Sequence, residues 1–130
     1  MIIHYKDTHH FNKEELENLF LSVHWESGKY PDKLVCAMKN YPTVYSAWVN
    51  SQLVGMICVM DDGIMNAYIH YLLVNPDYQG KGIGKHLMEM VKNKYQDYVN
   101  LVLISYKDAK MFYQTCHFIE NDDSIPMSRL

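Results

Sequence analysis

At 130 residues the chain suits one domain, residues 1–130, around one hydrophobic core. A composition of 48% apolar and 21% charged residues excludes a disordered chain, and a formal net charge of −3 offers nothing to nucleic acid. Three scattered cysteines (Cys36, Cys58, Cys116) form no CxxC pair and argue against a disulfide framework or a metal site, while the lack of a long apolar run or a signal-like N-terminus leaves a cytoplasmic protein with no membrane partner as the expectation.

In chain order, residues 2–5 (IIHY) read as a first edge strand. Asn12 followed by Glu15 has the form of a capping box, and Leu16, Leu19, Phe20 and Val23 then recur on one helical face. A second helix is expected from Pro31, burying Leu34, Val35 and Met38. Between the two lies a loop, His24–Tyr30, rich in side chains that can do chemistry. From Thr43 the period changes: TVYSAWV and QLVGMICVM read as strands joined by a turn at Asn50-Ser51. Asp61-Asp62-Gly63 turns into a third strand, MNAYIHYLLV, which ends at Asn75-Pro76 because proline cannot donate to a ladder. A glycine-rich loop follows, then a helix with Ile83, Leu87, Met90 and Val91 on one stripe and Lys85, Glu89, Lys92 and Asn93 toward water. YVNLVLIS is the next strand, Asp108 can cap a short helix AKMFYQTC, and HFIEN and IPMSRL can supply two closing strands. The expected order is β-α-α-β-β-β-α-β-α-β-β, an α/β domain (α+β) with a largely antiparallel sheet flanked by helices.

The informative segment is LLVNPDYQGKGIGKHLMEMV. Glycine admits positive φ and lets a ligand approach bare N–H groups. A helix start adds unpaired amides and a dipole that favours an anion, so strand, glycines and helix together make a phosphate cradle. Lys81 and Lys85 can add charge at its rim. GxxxxGK[ST] is absent, and GxGxxG fails because its third glycine would fall at Lys85 or Leu87. The pattern that fits is Gln-x-x-Gly-x-Gly, at Gln79, Gly82 and Gly84.

With that loop the chain resembles the GNAT superfamily of N-acetyltransferases, whose pyrophosphate motif is Arg/Gln-x-x-Gly-x-Gly/Ala after a strand. The family's second marker, Ala-x-x-Phe-Tyr-x-x-x-Gly-Phe, is similar to Ala109–Phe118 here, with His117 in place of the glycine. The resemblance implies acetyl-coenzyme A as co-substrate, its pantetheine arm paired with the backbone of Leu72, Leu73 and Val74, and its pyrophosphate held by Gln79, Gly80, Lys81, Gly82, Ile83, Gly84 and Lys85. A main-chain donor near Leu73 would polarise the thioester carbonyl. Tyr113 matches the family tyrosine that protonates the departing thiolate; its alternative role is packing beside Phe112. Some members carry a Glu base near the position of Tyr68. Here Tyr68 and His70 lie two apart, with Leu72 and Val74 continuing their strand face, and His70 has the intrinsic pKa of a base. Tyr106 stands where many relatives have an Asn that contacts the cofactor. His24, Trp25, Glu26 and Tyr30 are candidates for the acceptor site, and Trp25, Tyr30, Tyr41 and Trp48 could form an aromatic wall for a cation, core packing being the alternative for Trp48. His9, His10 and His86 lack metal-ligand spacing and read as solvated surface.

The implied function is transfer of an acetyl group to a primary amine, of a small molecule or a peptide, by direct attack in a ternary complex. The alternatives are a non-catalytic acyl-coenzyme A sensor or interaction module and a generic anion-binding α/β protein. A homodimer through the closing strands is a further expectation.

Overall fold

The computed structural model describes residues 1–130. Five strands form one sheet in the order β1 (His4–Lys6), β2 (Thr43–Val49), β3 (Gln52–Asp61), β4 (Asn66–Val74) and β5 (Asn100–Leu103). The first four are antiparallel neighbours, and β5 runs parallel to β4. Asn50 and Ser51 both take positive φ (47° and 67°), the conformation that lets a two-residue turn follow the twist of β2 and β3.

Helices α1 (Lys13–Ser22) and α2 (Pro31–Asn40) cover one face, and α3 (Ile83–Lys94) covers the other. The capping box starts α1: the Glu15 amide donates to Asn12 Oδ1 at 2.8 Å, and the Asn12 amide to Glu15 Oε2 at 3.2 Å. Leu16, Leu19, Phe20, Leu34 and Met38 pack on Val44, Met56, Cys58 and Leu73. On the far face Ile83, Leu87, Met88 and Val91 pack on Ile57, Val59, Ala67 and Ile69. Met88 thus fills the place expected for Met90, which is half-buried. No helix is long and apolar enough to cross a membrane.

The C-terminal part departs from expectation. A turn at Lys107–Ala109 leads into α4 (Lys110–Thr115), so Ala109 takes the cap position and Asp108 caps nothing. The two closing strands do not form: beyond α4 the chain has no strand, and Ile119, Ile125 and Met127 are exposed. Neither segment pairs with the outer edge of β5, and a strand that buries nothing cannot offset the entropy of ordering it.

A bulge corrects the face assignment on β4. Cys58 pairs with Tyr71 and Val59 with Ile69, leaving His70 as the extra residue. Tyr68, His70, Tyr71 and Leu73 therefore turn toward the α1–α2 layer, whereas Leu72 and Val74 turn toward α3. One added residue inverts the alternation for the rest of the strand.

Candidate active site

A gap opens beside the second half of β4. β5 pairs with β4 only from Asn66↔Asn100 to Ile69↔Leu103, so β4 continues from His70 to Val74 with no neighbour on that side. The Asn75 amide donates to the Val54 carbonyl at 2.8 Å. By the two-residue repeat of an antiparallel ladder, Leu73 also points its main chain at β3, and Leu72 and Val74 point theirs into the gap. The donor expected near Leu73 is thus the N–H of Leu72 or Val74. Gln79 reaches back across the loop, donating from Nε2 to the Val74 carbonyl at 2.9 Å.

The loop then presents its amides. Asn75 Oδ1 accepts from the Asp77 amide at 2.9 Å and fixes the Pro76–Tyr78 turn. Gly80 and Gly82 follow with φ of 78° and 83°. Main-chain bonding stops with Gln79 N–H to Pro76 O and resumes with His86 N–H to Gly82 O, leaving the amides of Gly80 through Lys85 without a protein acceptor. Gly82 caps α3 with no side chain, and the first turn holds no acidic residue. The positive end of the helix dipole is therefore uncompensated. A Cβ at Gly80 or Gly82 would meet nothing within 4 Å, so no protein atom crowds the loop at either glycine. Lys81 and Lys85 are exposed at its edge.

Ile83 and Gly84 serve packing as well. A Cβ on Gly55 of β3 would lie 3.1 Å from Ile83 Cγ2, and one on Gly84 would lie 3.3 Å from Phe112 Cζ. These two glycines let α3 settle on the sheet and α4 settle on α3.

Phe112 thereby sets the position of Tyr113, whose ring meets Phe112 and Phe118 edge-on at 5.2 and 6.4 Å. The Tyr113 hydroxyl has no protein partner and is not sealed from solvent. Burial of the ring, with the Cys116 thiol nearby, pushes its pKa up to about 12. Just beyond, α4 closes in a Schellman motif: Phe118 N–H donates to Tyr113 O and His117 N–H to Gln114 O, each at 3.0 Å. His117 sits there with φ of 70°, which gives the family glycine at this position a backbone reason.

On the α1–α2 face an aromatic cluster surrounds His70. Its Nδ1 is hydrogen-bonded to the hydroxyl of Tyr41, a residue only 7% exposed, and its ring stacks on Tyr71 at 4.2 Å. Burial pushes the imidazole pKa below its usual value, so the ring is neutral at pH 7. Tyr71 links Tyr41 to Trp25 and holds Ser27 Oγ with its hydroxyl at 2.9 Å. Two members of the expected wall lie elsewhere. Trp48 stacks on Phe11 at 6.0 Å near β1 and is covered by Lys6, and Tyr30 faces water beside Lys33. Glu26 is exposed in an ion pair with Lys29, and His24 ends α1 with φ of 61°; neither joins the cluster. His9 is less solvated than expected, half-buried with its Nδ1 bonded to the Met38 carbonyl, whereas His10 and His86 are exposed as expected, His86 with its ring stacked on Tyr5. Tyr71 escaped the sequence reading because the bulge that turns it to this face depends on the partner strand. Beyond Tyr68 an open groove of about 420 Å³ is lined by Met60, Tyr68 and Val102, with Asp61 and Asp62 at one end and no Lys or Arg.

The acetyltransferase (GNAT) domain family matches residues 8–127. The uncharacterized N-acetyltransferase ycf52 of Pyropia yezoensis is 32% identical over 130 residues, covering 95% of this chain and 74% of that protein. A GNAT-family acetyltransferase of Streptococcus pneumoniae has the same fold, with a TM-score of 0.86 at 24% identity over 99% of this chain and 98% of the other. A predicted acetyltransferase of Clostridium acetobutylicum, solved with acetyl-CoA, superposes with a TM-score of 0.69 at 14% identity, covering 98% and 96%. With the domain matched across nearly the whole chain and a relative that it covers for most of its length, this protein belongs to the GNAT family and is an acetyltransferase.

Proposed function

We propose that the protein moves the acetyl group of acetyl-coenzyme A to a primary amine, of a small molecule or a peptide, with both substrates bound together. The observation that carries this reading is the run of bare amides from Gly80 to Lys85, with nothing packed against Gly80 or Gly82. Such donors at an uncapped helix start suit a pyrophosphate, which needs many N–H partners and a positive field. The gap along Leu72 and Val74 supports a pantetheine arm laid down as an added strand.

Acetyl-coenzyme A supplies a thioester, from which the amine takes the acetyl group while the C–S bond breaks. Leu72 N–H offers a donor where negative charge gathers on the carbonyl oxygen. Tyr113, a phenol that is protonated at neutral pH, donates its proton to the leaving sulfur. His70, neutral at pH 7 and braced at Nδ1 by Tyr41, takes the proton that the amine sheds, directly or through water. The groove past Tyr68 is the amine's approach. Its carboxylates and its lack of Lys or Arg make the potential there favourable to a cation.

Replacing Tyr113 tests the chemical half of this reading. Tyr113→Phe removes the proton donor and keeps the ring, so kcat falls by roughly 100-fold while coenzyme A affinity by calorimetry stays within about twofold. Unchanged kcat returns Tyr113 to a packing role. Coenzyme binding without turnover of any amine in the wild type leaves a binding module.

A further inference from the structure

Trp25 opens the Glu26–Lys29 turn on one side of the gap, and Tyr106 opens the turn after β5 on the other. Their ring centroids lie 6.2 Å apart, tilted by 52°. The same indole lies 5.8 Å from Tyr71, the β4 residue next to Leu72. One side chain therefore reaches from β4 to the chain leaving β5, across the place where the two strands part. It is held from behind by the buried Phe20 at 6.1 Å, and Ser27, in the same turn, is bonded to the Tyr71 hydroxyl. Trp25 is thus backed on two sides, whereas Tyr106 is 68% exposed and closes the outer end with a single ring.

We propose that Trp25 and Tyr106 roof the gap beside Leu72 and that this roof restricts the acyl donor to short thioesters. The inference rests on the reading of the gap as the thioester site. An acetyl group ends one methyl beyond its carbonyl and asks for little room. Each further methylene must displace aromatic rings already in contact or separate Trp25 from Tyr106. A pocket wall of packed rings discriminates by roughly tenfold or more between an acyl chain that fits and one that is too long. The amine is not obstructed, because its groove lies past Tyr68, at the other end of the cluster.

Calorimetric titrations of coenzyme A, acetyl-coenzyme A and hexanoyl-coenzyme A, all without an amine so that nothing turns over, test the roof. The wild type binds the acetyl form at least tenfold more tightly than the hexanoyl form. Trp25→Ala and Tyr106→Ala each bring the two within about threefold of one another, whatever either change does to the affinity for coenzyme A itself. Tyr106 is exposed, so its variant keeps the test sound if loss of Trp25 disturbs folding. Equal binding of both thioesters by the wild type, or a ratio that neither variant moves, overturns the roof and leaves the cradle standing. Failure of coenzyme A to bind the wild type overturns the cradle itself, and the roof with it.

Discussion

His117 shows how one residue records a conflict between local geometry and side chain. The end of α4 needs φ of 70° there, and a residue with a Cβ enters that region at a cost of about 1–2 kcal/mol. The imidazole is exposed and makes no hydrogen bond that would offset this cost. His117→Gly is expected to raise stability by about 0.5–1 kcal/mol, since glycine relieves the strain but adds freedom to the unfolded chain. Urea denaturation measures it, and an unchanged or lowered midpoint contradicts the assignment. Tyr113 lies just before this turn and is aimed by it, so the departure from the family glycine bears on the backbone that sets a tyrosine. Its position was legible because Phe112-Tyr113 sits in a short local pattern. The reason for the glycine was not, since it appears only with the hydrogen bonds that close the helix.

Among the elements, α3 fixes the height of the amides above the sheet. It does so through Ile83, its first residue, which rests on Gly55 where β3 has no side chain. Gly55→Val puts carbon where a Cβ alone would already stand 3.1 Å from Ile83 and 3.3 Å from the Leu73 carbonyl. Overpacking of that kind costs about 1–3 kcal/mol and lifts the start of α3. Thermal unfolding with coenzyme titration checks both effects: the expected result is a lower midpoint together with at least tenfold weaker binding. A lower midpoint with unchanged affinity would separate the packing of α3 from the cradle. The helices and the first strands were legible because capping residues and periodicity are written within one segment. Two things were not. The bulge at His70 depends on how β3 and β4 pair, so the face shared by Tyr68, His70, Leu72 and Val74 was drawn by plain alternation and came out inverted for the last two. The closing segments carry apolar residues but bury none of Ile119, Ile125 and Met127, although the outer edge of β5 is open, and composition alone does not make a strand.

At the scale of the whole molecule, the proposed chemistry lies at a seam. One helical layer presses on each face of the sheet, and between β4 and β5 the sheet itself opens. From the α3 side come the bare amides and, through α4, the Tyr113 hydroxyl; from the α1–α2 side come Trp25, Tyr41, Tyr71 and His70. The glycine loop was readable in the sequence because it is one contiguous stretch. The aromatic side of the seam was readable only in part, since Trp25, Tyr41, Tyr71 and Tyr106 are far apart in the chain and meet through folding alone. The proposed function requires the amides of Gly80 through Lys85 to be turned toward a doubly phosphorylated ligand. Backbone ¹H–¹⁵N spectra recorded while coenzyme A is added test this most directly. The largest shifts are expected at Gly80, Lys81, Gly82, Ile83, Gly84 and Lys85, with smaller ones at Leu72 and Val74; resonances of that loop that stay in place while the coenzyme binds elsewhere would contradict the account.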